Sequence, residues 1–369
     1  MRVLFAGGGT GGHLYPGLAI ARALVASERG VRPIFVGARR GIERDLLPES
    51  GFEHILLDLH PLYRAKPWLN ARTARGLVSA WRTLGAIVRD ERPALLVATG
   101  GYAAGAALAY AKASGIPVVL QEQNSVPGLT TRLASRFARE IYLGYGEAAR
   151  WLRPRRDAWV GVTGNPIEPP PEPRPDSGAT RRRWGFPDSG GRVALVFGGS
   201  QGARAINEIV AAWVARGIPE HLFVLWATGK VGYEQYAGLD SPRVRVVDYL
   251  SPIAEAYGAA DLALTRAGAL TAAELCAWGI PAVLVPLPTA AADHQTANAR
   301  ALADAGAAVL LPQRELGVER LDAEVTRLTR DGGALALMAR AARDRGRPYA
   351  AEAIAKRILA IIESQSHRA

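Results

Sequence analysis

The chain has 369 residues, enough for two domains or three at about 150 residues each. Hydrophobic residues make up 49% and charged residues 21%, which excludes a disordered or collagen-like chain. Lys+Arg 45 against Asp+Glu 34 leaves a formal charge of +11, and Lys66, Lys112, Lys230 and Lys356 are the only lysines. Such an arginine excess fits nucleic acid, an anionic membrane surface or a phosphorylated substrate, and equally a genomic bias in base composition. The single cysteine, Cys276, excludes an intrachain disulfide and zinc sites built from cysteine pairs, and it fits a reducing compartment.

The apolar start Val3–Ala6 runs straight into glycines, so no signal peptide is expected. Strands are expected at Arg2–Ala6, Pro33–Val36, Ala94–Ala98 and Pro117–Leu120, with helices at His13–Ala26 and Tyr102–Ala113 after glycine turns. Two uncharged runs, Pro93–Ala111 and Leu275–Ala292, are broken by glycines or prolines and read as strand–turn–helix pieces, so no membrane span is expected. The second half restarts the same programme. Ala194–Phe197 leads into Gly198-Gly199-Ser200-Gln201-Gly202 as Val3–Ala6 leads into Gly7–Gly12, and Gly279–Leu284 echoes Gly115–Leu120. Two similar doubly wound α/β domains follow, with a ligand site expected at the carboxyl ends of their strands, in a cleft between them. The proline- and glycine-rich stretch 169–191 reads as a linker.

Glycine-rich turns between strand and helix let backbone N–H groups approach a phosphate. Gly7-x-Gly9-x-x-Gly12 matches the dinucleotide fingerprint, but the acidic residue expected about 20 positions on is absent, and Arg39-Arg40 stand at the end of the next strand. That arrangement would suit an NADP-dependent oxidoreductase. Against it, His13 sits at the helix start, and further glycine turns occur at Thr99–Tyr102, Gly198–Gly202 and Arg266–Thr271. Several helix N-termini suit a diphosphate better than a hydride donor.

Gly9-Thr10-Gly11-Gly12-His13-x-x-Pro16, Gly100-Gly101-Tyr102, Gln121-Glu122-Gln123-Asn124, Gly164-Asn165-Pro166, Gly198–Arg204 and Gly268-Ala269-Leu270-Thr271-x-x-Glu274 occur in this order. Together they resemble the MurG family of UDP-N-acetylglucosamine transferases, glycosyltransferase family 28. The resemblance implies a GT-B fold of two Rossmann-like domains separated by a cleft. An acceptor and membrane-associating domain would cover 1–165, a linker 166–191 and a donor domain 192–345, with a C-terminal helix at 346–369 returning to the first domain. It implies transfer of GlcNAc, with inversion, from UDP-GlcNAc to the MurNAc 4-hydroxyl of a lipid-linked acceptor, lipid I, at the cytoplasmic face of the membrane. Carried over by motif position, the donor would meet Thr10, Gly11, Gly12, Asn124, Ser200, Leu250, Ala269, Leu270, Thr271, Glu274, His294 and Gln295. Glu274 would take the ribose hydroxyls, and His294 and Gln295 the sugar. The acceptor would meet His13, Tyr102, Glu122 and Asn124. One departure stands out: Ile167-Glu168 follow Gly164-Asn165-Pro166 where family members often carry a diphosphate-binding arginine, which leaves Arg266 or Arg204 to compensate.

Inverting transfer needs a base for the acceptor hydroxyl and stabilisation of the leaving UDP. An imidazole titrates near neutrality, and a helix start favours its neutral form, which makes His13 a candidate base. Glu122 is the rival, since burial raises a carboxyl. Helix N–H groups of Gly268–Thr271 would meet the leaving-group charge. No Asp-x-Asp occurs, so neither a metal nor another cofactor is expected.

From Leu59 to Arg89 there is no acid, yet Arg64, Lys66, Arg72, Arg75, Arg82 and Arg89 occur with Leu62, Tyr63, Trp68, Leu69, Leu77, Trp81 and Leu84. The segment Tyr63–Leu69 reads as contact with an anionic membrane, made by Arg64, Lys66, Trp68, Leu69, Arg72 and Arg75. Leu77, Leu84 and Val88 read as the core face of an amphipathic helix. The basic stretch has no base-reading module, so no nucleic-acid partner is expected.

Overall fold

The computed structural model describes residues 1–27, 30–59, 70–199 and 201–366, without the side chains of 70–72, 74 and 366. Contacts divide the chain into two compact units, Met1–Glu168 with Tyr349–Ala369, and Pro169–Pro348.

The first unit alternates strand and helix: β1 (Arg2–Gly7), α1 (Gly11–Ala26), β2 (Arg32–Ala38), α2 (Glu43–Glu49), β3 (Glu53–Leu57), α3 (Asn70–Glu91), β4 (Leu95–Gly100), α4 (Ala103–Ala113), β5 (Val118–Glu122), α5 (Leu129–Ala134), β6 (Glu140–Leu143) and β7 (Trp159–Val162). In β1 every residue after Arg2 is buried, as expected of a strand covered on both faces. The seven strands lie in the order β3-β2-β1-β4-β5-β6-β7, all parallel, with Leu4 opposite both Ile34 and Leu96. Strand order reverses between β1 and β4, so the turns after these two strands open on the same edge, where α/β sheets bind ligands.

One sheet face packs Leu4, Ile34, Leu96 and Leu120 against Leu84 and Ile87 of α3 and Leu108 of α4. On the other, Phe5, Phe35 and Val97 meet Leu14, Leu18 and Leu24 of α1. The buried stripe of α3 is Thr73, Gly76, Ala80, Leu84 and Ile87, at spacings of three and four. Leu77, expected in the core, falls on the margin of that stripe and is 47% exposed, beside exposed Val78 and Trp81.

The second unit holds α6 (Ser177–Arg183), β8 (Arg192–Phe197), α7 (Arg204–Arg216), β9 (Leu222–Ala227), α8 (Tyr233–Tyr236), β10 (Val244–Val247), α9 (Ile253–Ala259), β11 (Leu262–Thr265), α10 (Ala269–Trp278), β12 (Ala282–Leu284), α11 (His294–Asp304), β13 (Ala308–Leu310), α12 (Val318–Arg330) and α13 (Gly332–Arg345). Its six strands are parallel in the order β10-β9-β8-β11-β12-β13, with the same reversal beside the first strand of the unit. Trp226, Leu264 and Val283 pack with Ile206, Val210 and Trp213 of α7 and Leu321 of α12.

Two segments are tied down by pairings distant in sequence. The stretch read as linker carries α6, capped by Asp176 accepting from Ala179 N, and Arg181 bonds Asp261 at 2.6 Å while Arg192 reaches the other oxygen at 3.0 Å. Its composition is that of a linker, but a partly buried ion pair and an N-cap order it. At the other end, α14 (Ala350–Ser366) buries Ile354, Ile358, Ile361 and Ile362 in the core that α1 also faces. Arg357 makes a two-bond fork to Glu140 and lies 3.5 Å over the Trp159 ring.

Candidate active site

In the first unit the turn after β1 and the turn after β4 meet. Thr10 takes extended backbone before α1, and its hydroxyl is 3.0 Å from His13 Nδ1. Thr99 Oγ1 donates to the His13 carbonyl at 2.6 Å, holding the first turn of α1 to β4. Gly100 and Gly101 both have positive φ, +97° and +79°, and their lack of side chains admits the imidazole. A β-carbon on Gly100 would lie 3.1 Å from His13 Cδ2 and 3.9 Å from Thr131 Oγ1. The exposed Tyr102 ring lies against Gly9, where a β-carbon would come within 2.8 Å of it.

Glu122 ends β5 and is buried. Its Oε1 accepts from Asn124 N at 3.1 Å and Asn124 Nδ2 at 3.4 Å, and Oε2 from Gly128 N at 3.2 Å. Burial pushes this carboxyl above its ordinary value, and the bonds from Thr131, Asn124 and Gly128 pull it back. Below it, Gln121 Nε2 donates to Asn165 Oδ1 and Asn165 Nδ2 to the Gln123 carbonyl, each at 3.0 Å. Gln123 in turn donates to the Thr99 carbonyl at 2.8 Å. These three buried amides join the Gly164-Asn165-Pro166 motif to the second glycine turn.

In the second unit α10 opens at Ala269 behind Gly268, which puts Leu270 and Thr271 in its first turn with N–H groups lacking helical partners. One turn on, Glu274 accepts from Tyr257 Oη at 2.7 Å. Tyr257 is buried between Phe197 and Trp278, and burial followed by the Glu274 charge pushes its phenol well above the ordinary value. Arg266 donates to the carbonyls of Val285 and Pro286, both at 3.2 Å, and burial lowers its pKa. Beside it, Gln295 Oε1 accepts from Leu287 N at 2.9 Å and His294 Nδ1 is 2.7 Å from the Ala291 carbonyl. Ala292 and Asp293 just before them have φ of +52° and +53°, strain of the sort that collects at ligand sites.

Thus Thr10, Gly11, Gly12, His13, Tyr102, Glu122 and Asn124 gather in the first unit, and Ala269, Leu270, Thr271, Glu274, His294 and Gln295 in the second. Leu250 is buried, which leaves its backbone as the part able to meet a ligand. Ser200, Tyr63, Arg64, Lys66, Trp68 and Leu69 lie outside the described residues, as does the Arg72 side chain. Ile167 is buried where the family arginine would stand. Of the two substitutes, Arg204 is exposed and paired with Glu208 at 2.7 Å, whereas Arg266 sits within the second cluster. Sequence reasoning missed Tyr257, Thr99 and, beneath the first turn, Glu43, whose Oε1 accepts from Gly9 N at 3.0 Å. Arg39 and Arg40 are engaged elsewhere, Arg39 with the Leu56 carbonyl at 3.0 Å and Arg40 with Asp58 at 3.7 Å.

The glycosyltransferase family 28 N-terminal domain matches residues 3–143, and the family's C-terminal domain matches 193–356. The chain belongs to glycosyltransferase family 28. The UDP-N-acetylglucosamine--N-acetylmuramyl-(pentapeptide) pyrophosphoryl-undecaprenol N-acetylglucosamine transferase of Salinibacter ruber is 42% identical, over 98% of this chain and 97% of its own. The enzyme of that name from Moorella thermoacetica is 40% identical, over 99% and 100%. Among solved structures, Acinetobacter baumannii MurG superposes with a TM-score of 0.77 at 30% identity, covering 97% of this chain and 99% of that one. The glycosyltransferase of kitacinnamycin, at 19% identity and a TM-score of 0.71, shares the fold. The two Rossmann-like units are those of a GT-B family member, and the oxidoreductase alternative finds no support in these relatives.

Proposed function

We propose that this family 28 glycosyltransferase moves GlcNAc from UDP-GlcNAc to the MurNAc 4-hydroxyl of undecaprenyl-diphosphate-MurNAc-pentapeptide, inverting the anomeric carbon. Near full-length similarity to transferases bearing that name carries the reading. The two clusters divide the work: His13, Tyr102 and Asn124 for the acceptor, and the α10 start with Glu274, His294, Gln295 and Arg266 for the donor. In the tautomer whose Nδ1–H is donated to Thr10 Oγ1, 3.0 Å away, the His13 lone pair falls on Nε2, the form that accepts a proton from an attacking hydroxyl. Glu122 serves better as the holder of the 124–128 turn than as the base, because both its oxygens already accept N–H groups. Leu270 and Thr271 N–H groups, the α10 dipole and Arg266 would stabilise the UDP leaving group.

Membrane contact falls on the α3 side of the first unit. Exposed Leu77, Val78 and Trp81 accompany Arg75, Arg82 and Arg89 there, and exposed Leu129, Leu133 and Trp151 stand with Arg132 and Arg150 over the Trp151 ring. Among the described residues no helix is long and apolar enough to cross a membrane. Binding to the cytoplasmic face through these side chains together with Arg64, Lys66, Trp68, Leu69 and Arg72 is therefore peripheral. The test is labelled UDP-GlcNAc with a lipid I analogue, beside titrations with UDP-GlcNAc and NADPH. Transfer, with donor binding and no NADPH binding, is the expected result. NADPH binding without transfer would refute the assignment.

A further inference from the structure

A buried carboxylate lies beneath the first glycine turn, and nothing in the transfer chemistry described above uses it. Glu43 opens α2 and is 0% exposed. Its Oε1 alone accepts both bonds, from Gly9 N at 3.0 Å and from Ala38 N at 3.2 Å, joining the turn after β1 to the end of β2. Oε2 is buried with no hydrogen-bond partner. Three glycines make the room: a β-carbon on Gly8 would collide with Oε1, one on Gly41 with Oε2, and one on Gly37 would stand 2.9 Å from Glu43 Cβ.

A core position wanting only volume would hold leucine or methionine, because a carboxyl removed from water is costly unless its bonds compensate. The bonds here converge on a backbone that needs holding, since Gly9 has φ +88° and α1 begins two residues on. Gly9 N–H, one of the donors a dinucleotide-type turn would aim at a phosphate, is taken by Glu43. Any acceptor phosphate is left with the first turn of α1.

We propose that Glu43 is the positioning residue of the acceptor half of the reaction, holding Gly8–Thr10 in the conformation that sets Thr10 and His13. The inference rests on the reading that His13 and its turn serve the sugar acceptor.

Glu43→Gln, Glu43→Met and Glu43→Asp test it, with kcat and KM measured separately for UDP-GlcNAc and for a lipid I analogue, and folding checked by thermal melting. Gln keeps one acceptor oxygen for both N–H groups and puts its nitrogen where Oε2 bonds nothing. Met keeps the length without an acceptor, and Asp keeps the carboxyl group one methylene too short. Gln should stay within about threefold of wild type in acceptor kcat/KM, while Met and Asp fall at least about tenfold with the donor KM unchanged. Wild-type acceptor kinetics in Met or Asp overturns the proposal, and so does a fall in Gln equal to theirs. Should Met fail to fold, Gln against Asp decides by the same criterion. Wild-type protein inactive on both substrates would instead sink the transferase reading, a separate outcome.

Discussion

His13 and Glu122 look alike as candidate bases in the sequence, but their surroundings differ. His13 is half-buried with one nitrogen on a hydroxyl, whereas Glu122 is buried under N–H donors. His13→Ala should lower kcat by about 10²–10⁴-fold while calorimetry finds UDP-GlcNAc affinity unchanged. Unaltered turnover would remove His13 from the chemistry. Glu122→Ala should also lower turnover, through the loosened 124–128 turn, and equal turnover would deny it that role. Glu122 has its carboxyl raised on folding by burial, so its contribution to stability is complete below the unfolded value and lost as pH rises through the folded one. The melting-temperature advantage of wild type over Glu122→Gln should accordingly shrink as pH rises above the ordinary carboxyl range, and a constant gap would contradict the raised carboxyl. Tyr257→Phe removes one hydroxyl and the hydrogen bond it donates to Glu274 Oε2. If Glu274 holds the ribose, the donor KM rises about tenfold and discrimination against a 2′-deoxy donor weakens, with kcat little changed. An unchanged preference would show that Tyr257 only fills space.

Among the elements, α1 and α10 do what their glycine turns promised: each follows a buried parallel strand and opens with small residues. The α3 helix departs from its pattern, because hydrophobic periodicity marks an apolar face without saying how much of it the sheet covers. Ala80, Leu84 and Ile87 fill the core, and Leu77 and Trp81 are left about half exposed outside it. Each basic residue near an anionic surface contributes about 1 kcal/mol. Neutralising Arg64, Lys66, Arg72 and Arg75 should cut partitioning onto anionic vesicles by about 10³-fold at low salt, read by co-sedimentation. Binding that persists would exclude this patch as the anchor.

On the scale of the whole molecule, the first unit is closed by chain from both ends of the sequence. Removing 349–369 would strip four isoleucines of α14 from their core and break the Arg357–Glu140 fork. At about 1.5–3 kcal/mol for each buried side chain, the loss rivals the whole stability of an ordinary domain. The truncated chain should be insoluble or lack a cooperative melt, and a wild-type transition would show α14 to be dispensable. The fold class, the two restarts and the glycine turns were legible in the residues themselves, because apolar runs and turn-formers act through neighbours a few positions apart. The ordering of 177–191 by Arg181 and Asp261, the Tyr257 support of Glu274 and the buried Glu43 under Gly9 were decided by the tertiary structure alone. Those pairings join residues 80, 17 and 34 positions apart, and sheet order, to which local periodicity is blind, brings them together.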